Sequence, residues 1–517
     1  MDRSPRFVIE PSREGLPTLA VLEGDNRHYL HSRVAPSREA ESLRPSFQTE
    51  KFDVLIVLGA GLGYHLLPLG EGDLPYDRVL VIDILGGIES EIARNPLTSF
   101  LLERPVSILA GLPPEQIERR IQEFLSHGAT RGVQVLEHPA SLRLFPDYYS
   151  VARKLVRKAL ERFSGNIATR SAFAPRYLRN SILNIADTGS AIPVKTMFNR
   201  LEGTPGVVIT SGPTLDRALP VIKEARSRIV IVSVDSALPA LSAAGIIPDF
   251  AVSIDPQQHV CEHFASGLPG GTVPVFSLTA YPLPVRRHGG FLSLNTHPFS
   301  QLIEELHPGA VGSIDSGTGT VAGDAILLAF RLGLRPIALA GFDFCFGDHA
   351  IYARNTAYQR RYALFFQDRF GPIETRNLAY IMKSSGGHLV DGRFSRRSFG
   401  SYRESIESLI RREAIRDLYR LHTSGISLSG AADVDAEIFF SSLADRPGNA
   451  ILPVRPAPES CPPLSRLPGL TELRNALAHP GLRKRLLGAS LPGEPDGTLM
   501  NAIETKILHM LNVEDVQ

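Results

Sequence analysis

Short, predominantly apolar runs punctuate the chain, and most end in glycine, proline or an acidic residue instead of alternating with polar positions. Asp53 to Leu58, Val79 to Ile82, Val207 to Thr210, Ile229 to Val234, Phe250 to Asp255, Val273 to Ala280, Phe291 to Asn295 and Pro336 to Ala340 are such runs. A strand without a polar face is buried on both sides, as in a parallel sheet covered by helices. Helical stretches lie between several of them: Leu215 to about Ala225, Ala237 to Ala244, Phe299 to Leu306, and Val321 to Leu332. Short connections of this kind favour parallel pairing and right-handed crossovers. The chain therefore reads as an α/β protein with two Rossmann-like, doubly wound parallel-sheet domains followed by a helical C-terminal region. The divisions are residues 1–160, a β-rich lead-in plus a Rossmann-like domain; 161–430, a central α/β domain; and 431–517, a linker and helices.

In the first domain the run to Leu58 enters Gly59-Ala60-Gly61-Leu62-Gly63-Tyr64-His65, and the next run ends in Asp83. A strand, a glycine turn, a helix and a second strand with a terminal acid open a nucleotide-binding domain. The spacing is GxGxG, not GxGxxG, so the glycines either seat a ligand or only permit tight packing. From Tyr148 to Asn180 the chain turns helical and basic, a solvated linker. A polar stretch from His349 to Gly400 reads as a binding loop or lid, and Tyr402 to Leu421 as a helix. Prolines 453, 456, 458, 462 and 463 mark a linker, and Leu467 to Leu511 reads as short helices.

Lys+Arg 55 against Asp+Glu 54 leaves a formal charge of +1, so no whole-chain field draws the protein to nucleic acid or an anionic membrane. A hydrophobic share of 43% with 21% charged residues excludes a disordered or fibrous chain. Cys261, Cys345 and Cys461 have no CxxC spacing, which removes a disulfide framework or zinc knuckle and suits a reducing, cytoplasmic setting. No apolar stretch is long enough to span a bilayer.

Two turns carry candidate chemistry. In Thr210-Ser211-Gly212-Pro213-Thr214-Leu215, Gly212 permits a sharp turn after a strand, Pro213 suits a first helical position, and free N–H groups face an incoming anion. In Ser316-Gly317-Thr318-Gly319-Thr320 the small residues permit close approach, and the hydroxyls either bind a base or ribose or cap the following helix. Both turns precede helices of one sheet, so they converge at its carboxyl edge, where open α/β sheets bind ligands. Asp235, Asp255 and Asp343 each follow a strand, as donor-contacting groups, as turn formers, or as a magnesium site beside a phosphate.

The ordered set Val208 to Asp216, Val234-Asp235-Ser236-Ala237-Leu238, Ser253-Ile254-Asp255-Pro256, Ser316 to Ala325 and Leu339 to Phe344, with the Gly59 to His65 region, resembles the motility-associated factors (Maf), bacterial proteins required for flagellin glycosylation. The resemblance covers about residue 50 to about residue 430. The same segments are similar to bacterial metal-independent sialyltransferases that use CMP-sialic acid. That similarity implies a cytidine nucleotide held by Gly212, Pro213 and Thr214 in the first turn and Ser316, Gly317 and Thr318 in the second; Ser211, Gly319, Asp235, Ser236, Asp255 and Asp343 are expected to complete the nucleotide site. Of the two tyrosines that assist the leaving phosphate in those enzymes, one position holds Cys345 here, and Tyr352 serves for the other with a one-residue shift. Gly387-His388 stands where the similarity implies the base, and Arg354, near Tyr352, suits the sugar carboxylate or the phosphate.

The resemblance thus implies transfer of a nonulosonic acid (pseudaminic, legionaminic or sialic-like) from a CMP donor to Ser/Thr of flagellin, in the cytoplasm, with no metal or other cofactor. Two alternatives stay open. A related branch resembles enzymes that pyrophosphorylate a hydroxymethylpterin with ATP, which would need magnesium, and a flagellin-binding chaperone would need no nucleotide.

Overall fold

The computed structural model describes residues 5–443 apart from 40, 42–43, 48–51, 72–75, 104–105, 127–131, 187–190, 307, 366–370 and 422–424. The linker and helices expected beyond residue 443 lie outside the described residues. The chain divides into two compact units, one up to Ala172 and one from Phe173 onward. The helix Pro146–Ala186, where the basic helical stretch was expected, begins in the first and ends in the second. Among the described residues, no helix is long and apolar enough to cross a membrane.

The first unit opens with an antiparallel meander, β1 (Phe7–Pro11), β2 (Pro17–Glu23) and β3 (Asn26–Tyr29). Its parallel sheet has the order β6-β5-β4-β7, with β4 (Val54–Leu58), β5 (Arg78–Asp83), β6 (Val106–Ala110) and β7 (Val133–Glu137). Central β4 is buried at every position. One expectation fails here: the glycine turn leads not into an α-helix but into a 3-10 segment, Tyr64–Glu71. Pro68 lies inside it and cannot donate the hydrogen bond an α-helix requires there.

The second unit is built on nine parallel strands in the order β18-β17-β14-β9-β10-β11-β12-β13-β8. They are β8 (Ile192–Pro193), β9 (Gly206–Ile209), β10 (Val230–Val234), β11 (Phe250–Ser253), β12 (Val273–Ser277), β13 (Phe291–Ser293), β14 (Ile337–Ala340), β17 (Leu418–Leu421) and β18 (Ala432–Val434). Strands β9 to β14 are fully buried, as their apolar sequences require. The helix Val321–Arg331 packs across β9, β10 and β11 and brings Ile326, Leu327 and Leu328 into the core.

Two further expectations are corrected. The polar stretch 349–400 is largely ordered: it holds the helices Ala357–Ala363 and Ile373–Ser385 and a small antiparallel hairpin, β15 (Leu389–Val390) with β16 (Arg393–Phe394). The helix expected over Tyr402 to Leu421 runs instead over Arg397–Arg412, and the chain then re-enters the sheet as β17. Ala414 and Asp417 break it with positive φ angles of 51° and 55°. In β17 the guanidinium of Arg420 is buried and satisfied: it forks onto Asp433 of β18 at 2.6 and 2.7 Å and donates to the Ile426 carbonyl at 2.8 Å.

Candidate functional site

The glycine loop of the first unit is filled by the protein's own side chains. A Cβ at Gly59 would strike Ser141, and one at Gly61 would strike the His31 ring. Asp83, buried at the end of β5, accepts from the Ala60, Gly61 and Leu85 N–H groups at 2.6, 3.0 and 2.9 Å. The loop N–H groups that would face a pyrophosphate thus face a carboxylate. His31 Nε2 accepts from the Leu62 N–H at 2.7 Å, so Nδ1 carries the proton and donates it to Glu39 at 2.7 Å. His31, Glu39 and His138 bring possible metal ligands within 4.8 Å of one another. A cation at His31 Nδ1 would displace that proton to Nε2, against the Leu62 N–H, so the residues present do not fit an ion without rearrangement.

His138 stacks on His65 with ring centroids 4.6 Å apart. Burial, reinforced by the neighbouring His31, pushes the His65 pKa down to about 3, and burial holds His138 well below its ordinary value. Both are neutral in the fold. Their folded pKa values lie below the unfolded one, so the stability they contribute is complete above about pH 6.5 and is lost as pH falls toward 3. Amides of β4 and β5, corrected for intrinsic rates, are therefore expected to lose exchange protection between pH 6 and pH 4. The loss should be smaller in His65→Phe, and equal losses in both proteins would refute the assignment.

In the nine-stranded sheet of the second unit all strands are parallel, so its strand-to-helix turns open at one edge. The turn after β9 is tied to the turn after β14. Thr210 Oγ1 donates to the Gly341 carbonyl at 2.6 Å, and the Thr214 N–H donates to Asp343 Oδ2 at 3.1 Å. Gly212 must be glycine for this approach, since a Cβ would run into Asp343 and the Gly341 carbonyl. Burial raises the Asp343 pKa, opposed by the bonds from Thr214 and the charge of Arg420. Ser211 Oγ meets Ser236 Oγ at 3.0 Å, joining this turn to the end of β10. There the buried Asp235 accepts from the Ser236 N–H at 2.7 Å and from Ser253 Oγ of β11 at 2.6 Å. Its pKa is raised by burial and lowered in turn by the nearby His263. Asp255, one strand over, accepts from the Gln257 N–H at 2.8 Å and pairs with His259 at 3.3 Å.

The segment bearing Tyr352 and Arg354 lies on this turn. The Ala353 N–H donates to the Ser211 carbonyl at 2.9 Å, and the Arg354 N–H donates to Asp216 at 2.9 Å, in the first turn of the helix Leu215–Glu224. Asp216 is raised in pKa by burial and lowered by Arg354. Cys345 is buried, which pushes its thiol up to about 11 and keeps it protonated at neutral pH.

The second turn is a ladder of hydroxyls. Ser316 Oγ, Thr318 Oγ1 and Thr320 Oγ1 follow one another at 2.8 and 3.0 Å, and Thr320 caps the helix by accepting from the Gly323 N–H at 3.1 Å. Ser316 donates through its hydroxyl and its N–H to Asp324 at 2.5 and 2.8 Å. Burial, reinforced by the charge of Asp315, pushes Asp324 up to about 8, so it is a neutral carboxylic acid at pH 7. Gly317 and Gly319, with φ of 67° and 70°, face open space: no atom lies within 4 Å of where a Cβ would stand. The side chains therefore cap, while two glycine backbones remain open to an approaching group.

His388 sits elsewhere in the fold. It is exposed between the helix Ile373–Ser385 and β15, held by backbone bonds to Ser385 and Ser395. Among the described contacts, none joins it to either turn.

Several side chains at the edge are visible only in the structure. Asn180 donates to the carbonyls of Pro256 and Thr279 at 3.0 and 3.1 Å, and Asn184 to those of Leu278 and Ala280 at 2.8 and 2.9 Å. Asn295 donates to Ser277 Oγ and Thr279 Oγ1, both at 2.8 Å. The i,i+4 spacing of Asn180 and Asn184 on one helix face is the signal the sequence offered.

Comparison with known proteins agrees with this architecture. Residues 179–349 match the family described as MptE-like, 6-hydroxymethylpterin diphosphokinase MptE-like. The solved MAf glycosyltransferase from Magnetospirillum magneticum AMB-1 has a similar fold, with a TM-score of 0.52 at 15% identity, over 84% of this chain and 71% of that one. An uncharacterized protein of Treponema pallidum (strain Nichols) is 27% identical over 227 residues, 43% of this chain and 75% of that protein. A further match to an uncharacterized protein of the same organism is 26% identical over 113 residues. The two expected likenesses, to a Maf glycosyltransferase and to the hydroxymethylpterin kinase-like proteins, are therefore both found, the first at the level of fold and the second over the central segment.

Proposed function

We propose that the protein is a glycosyltransferase that moves a nonulosonic acid from a CMP donor to Ser or Thr of flagellin. The observation that carries this reading is the pair of turns at one sheet edge, on the fold of a Maf glycosyltransferase. The first turn is closed tightly around Gly212, and the second presents the open backbones of Gly317 and Gly319. Such an edge suits a nucleotide whose single phosphate needs only backbone and hydroxyl donors.

In the reaction the bond from the anomeric carbon to the phosphate oxygen breaks, and CMP leaves with the electron pair. The acceptor hydroxyl oxygen bonds to that carbon, and its proton passes to a base. Tyr352 and Arg354 are assigned to the leaving phosphate and the sugar carboxylate, because their segment is hydrogen-bonded onto the first turn. His388 is assigned as the base, reached as the acceptor seats, since an exposed imidazole ring nitrogen can accept the hydroxyl proton.

The match to 6-hydroxymethylpterin diphosphokinases favours a second reading, ATP-dependent pyrophosphorylation with magnesium. Asp235 and Asp343 argue against it. Both are already engaged by donors of their own domain, Asp343 by the Thr214 N–H and Asp235 by the Ser236 N–H and Ser253 Oγ, which a cation would have to displace. Incubation with a CMP-nonulosonic acid and flagellin is expected to release CMP and increase the flagellin mass, undiminished by chelator. AMP release from ATP and hydroxymethylpterin that chelator abolishes would replace this reading. Flagellin binding with no affinity for either nucleotide would favour a chaperone.

A further inference from the structure

The segment from residue 349 to residue 403 is unlike the rest of the chain in charge. It holds ten Lys and Arg against three Asp and Glu, and with Arg354, Arg361 and Arg403 paired to Asp216, Glu262 and Glu407 outside it a surplus of +4 remains, within a chain whose total is +1. It also concentrates exposed apolar side chains: Leu364 and Phe365 are 72% and 76% exposed, and Leu378, Met382 and Leu389 lie open as well. Scattered exposed apolar residues need no explanation, but a concentration of them on a strongly basic element marks an interaction surface.

The aromatic residues there form a connected mosaic. Tyr352 packs on Tyr358 with ring centroids 5.3 Å apart, and Tyr358 on Tyr362 at 4.7 Å. Tyr380 and Arg376 act on Tyr358 electrostatically, and Arg396 acts on Tyr352. Arg376 lies over the Tyr362 ring. Arg361 pairs with Glu262 and Arg360 donates to the Pro239 carbonyl at 3.3 Å, fixing the helix Ala357–Ala363 to the domain beneath. Rigid tyrosines interleaved with arginines are the side chains that carry binding energy in protein interfaces, because they cover large areas at low entropic cost.

We propose that this face docks an acidic, amphipathic segment of the protein acceptor, its apolar side on Leu364 and Phe365 and its carboxylates on the arginines. The inference rests on the transferase reading for the identity of the partner as the acceptor. The chemistry of recognition comes from the face itself: the charge calls for an acidic partner, and the exposed Leu364 and Phe365 call for an apolar stripe that a nucleic acid would not supply. Because Ala353 and Arg354 are bonded to Ser211 and Asp216, a segment seated here would lie beside the first turn.

The test uses the full chain and a fluorescein-labelled 20-residue helical peptide with glutamates on one face and leucines on the other, read by anisotropy. Binding is expected to weaken as salt rises and at least tenfold in Phe365→Ser and in Arg397→Glu, both at exposed positions. CMP titration should be the same in both variants as in the parent. Equal peptide affinity in parent and variants would overturn the proposal, as would equal binding of a lysine-faced peptide. Preferential co-sedimentation with vesicles containing anionic phospholipid, lost in the same variants, would make it a membrane face instead and would also overturn it. If the parent binds no CMP while the peptide still binds in a variant-sensitive way, the docking face stands and the transferase reading falls.

Discussion

Gly212→Ala is expected to melt well below the parent and to lose measurable affinity for CMP. One methyl group at this position meets the Gly341 carbonyl and Asp343, neither of which can rotate away, since Gly341 is backbone and Asp343 is held by Thr214. Overpacking of this kind costs about 3 kcal/mol when the neighbours are fixed. For a unit of this size that corresponds to a fall of roughly 6–12 °C in Tm. The same collision separates the turns after β9 and β14, so the seat proposed for the nucleotide opens along with the fold. Differential scanning calorimetry and CMP titration of the one variant check both parts, and parent-like values in both would contradict the described packing. The larger substitution to valine is less informative, because the fold would fail before binding could be read.

The second large effect belongs to Asp324. Its folded pKa, about 8, lies above the ordinary carboxylate value, so the folded chain holds a proton that the unfolded chain has released. Stability contributed by this group is complete below about pH 4 and is lost as pH rises through 8, by at most ~1.4 kcal/mol per pH unit. Asp324→Asn removes the ionisation and keeps a neutral partner for Ser316. It is expected to be more stable than the parent at pH 7, on the order of 3 kcal/mol, and less sensitive to pH between 4 and 8. Urea unfolding at four pH values decides the matter. Parallel stability profiles for the two proteins would show that Asp324 is ionised in the fold.

The central strands were legible because parallel strands buried on both faces leave an unbroken apolar run, as in Val230–Val234. Strand β17 was hidden because only four residues form it and one is Arg420, whose partners Asp433 and Ile426 become neighbours only after folding. The helix Ile373–Ser385 was missed for a different reason. Only Asn377, Ile381 and Ser385 are buried along it, a stripe too narrow and too polar to register as a period. Its limits were nonetheless written in Pro372 and in Gly386, whose φ of 57° ends the helix.

At the site, both turns could be read from local chemistry, since glycine, proline and hydroxyl residues act within a few positions of one another. Their partners could not. Asp343 reaching Thr214 and Ser253 reaching Asp235 are long-range contacts that no spacing announces. The glycines of the first unit teach the reverse lesson. Gly59 and Gly61 match a ligand motif, yet what they admit is Ser141 and the His31 ring.

The most direct measurement is the position of CMP on the folded protein, read from a crystal soaked with the nucleotide in the presence of chelator. The account predicts density at the carboxyl edge of the nine-stranded sheet, with the phosphate near Ser211 to Thr214 and Tyr352 and the nucleoside against the Gly317 and Gly319 backbones. Density in the first unit, or a nucleotide that enters only with magnesium on Asp235 and Asp255, would contradict it.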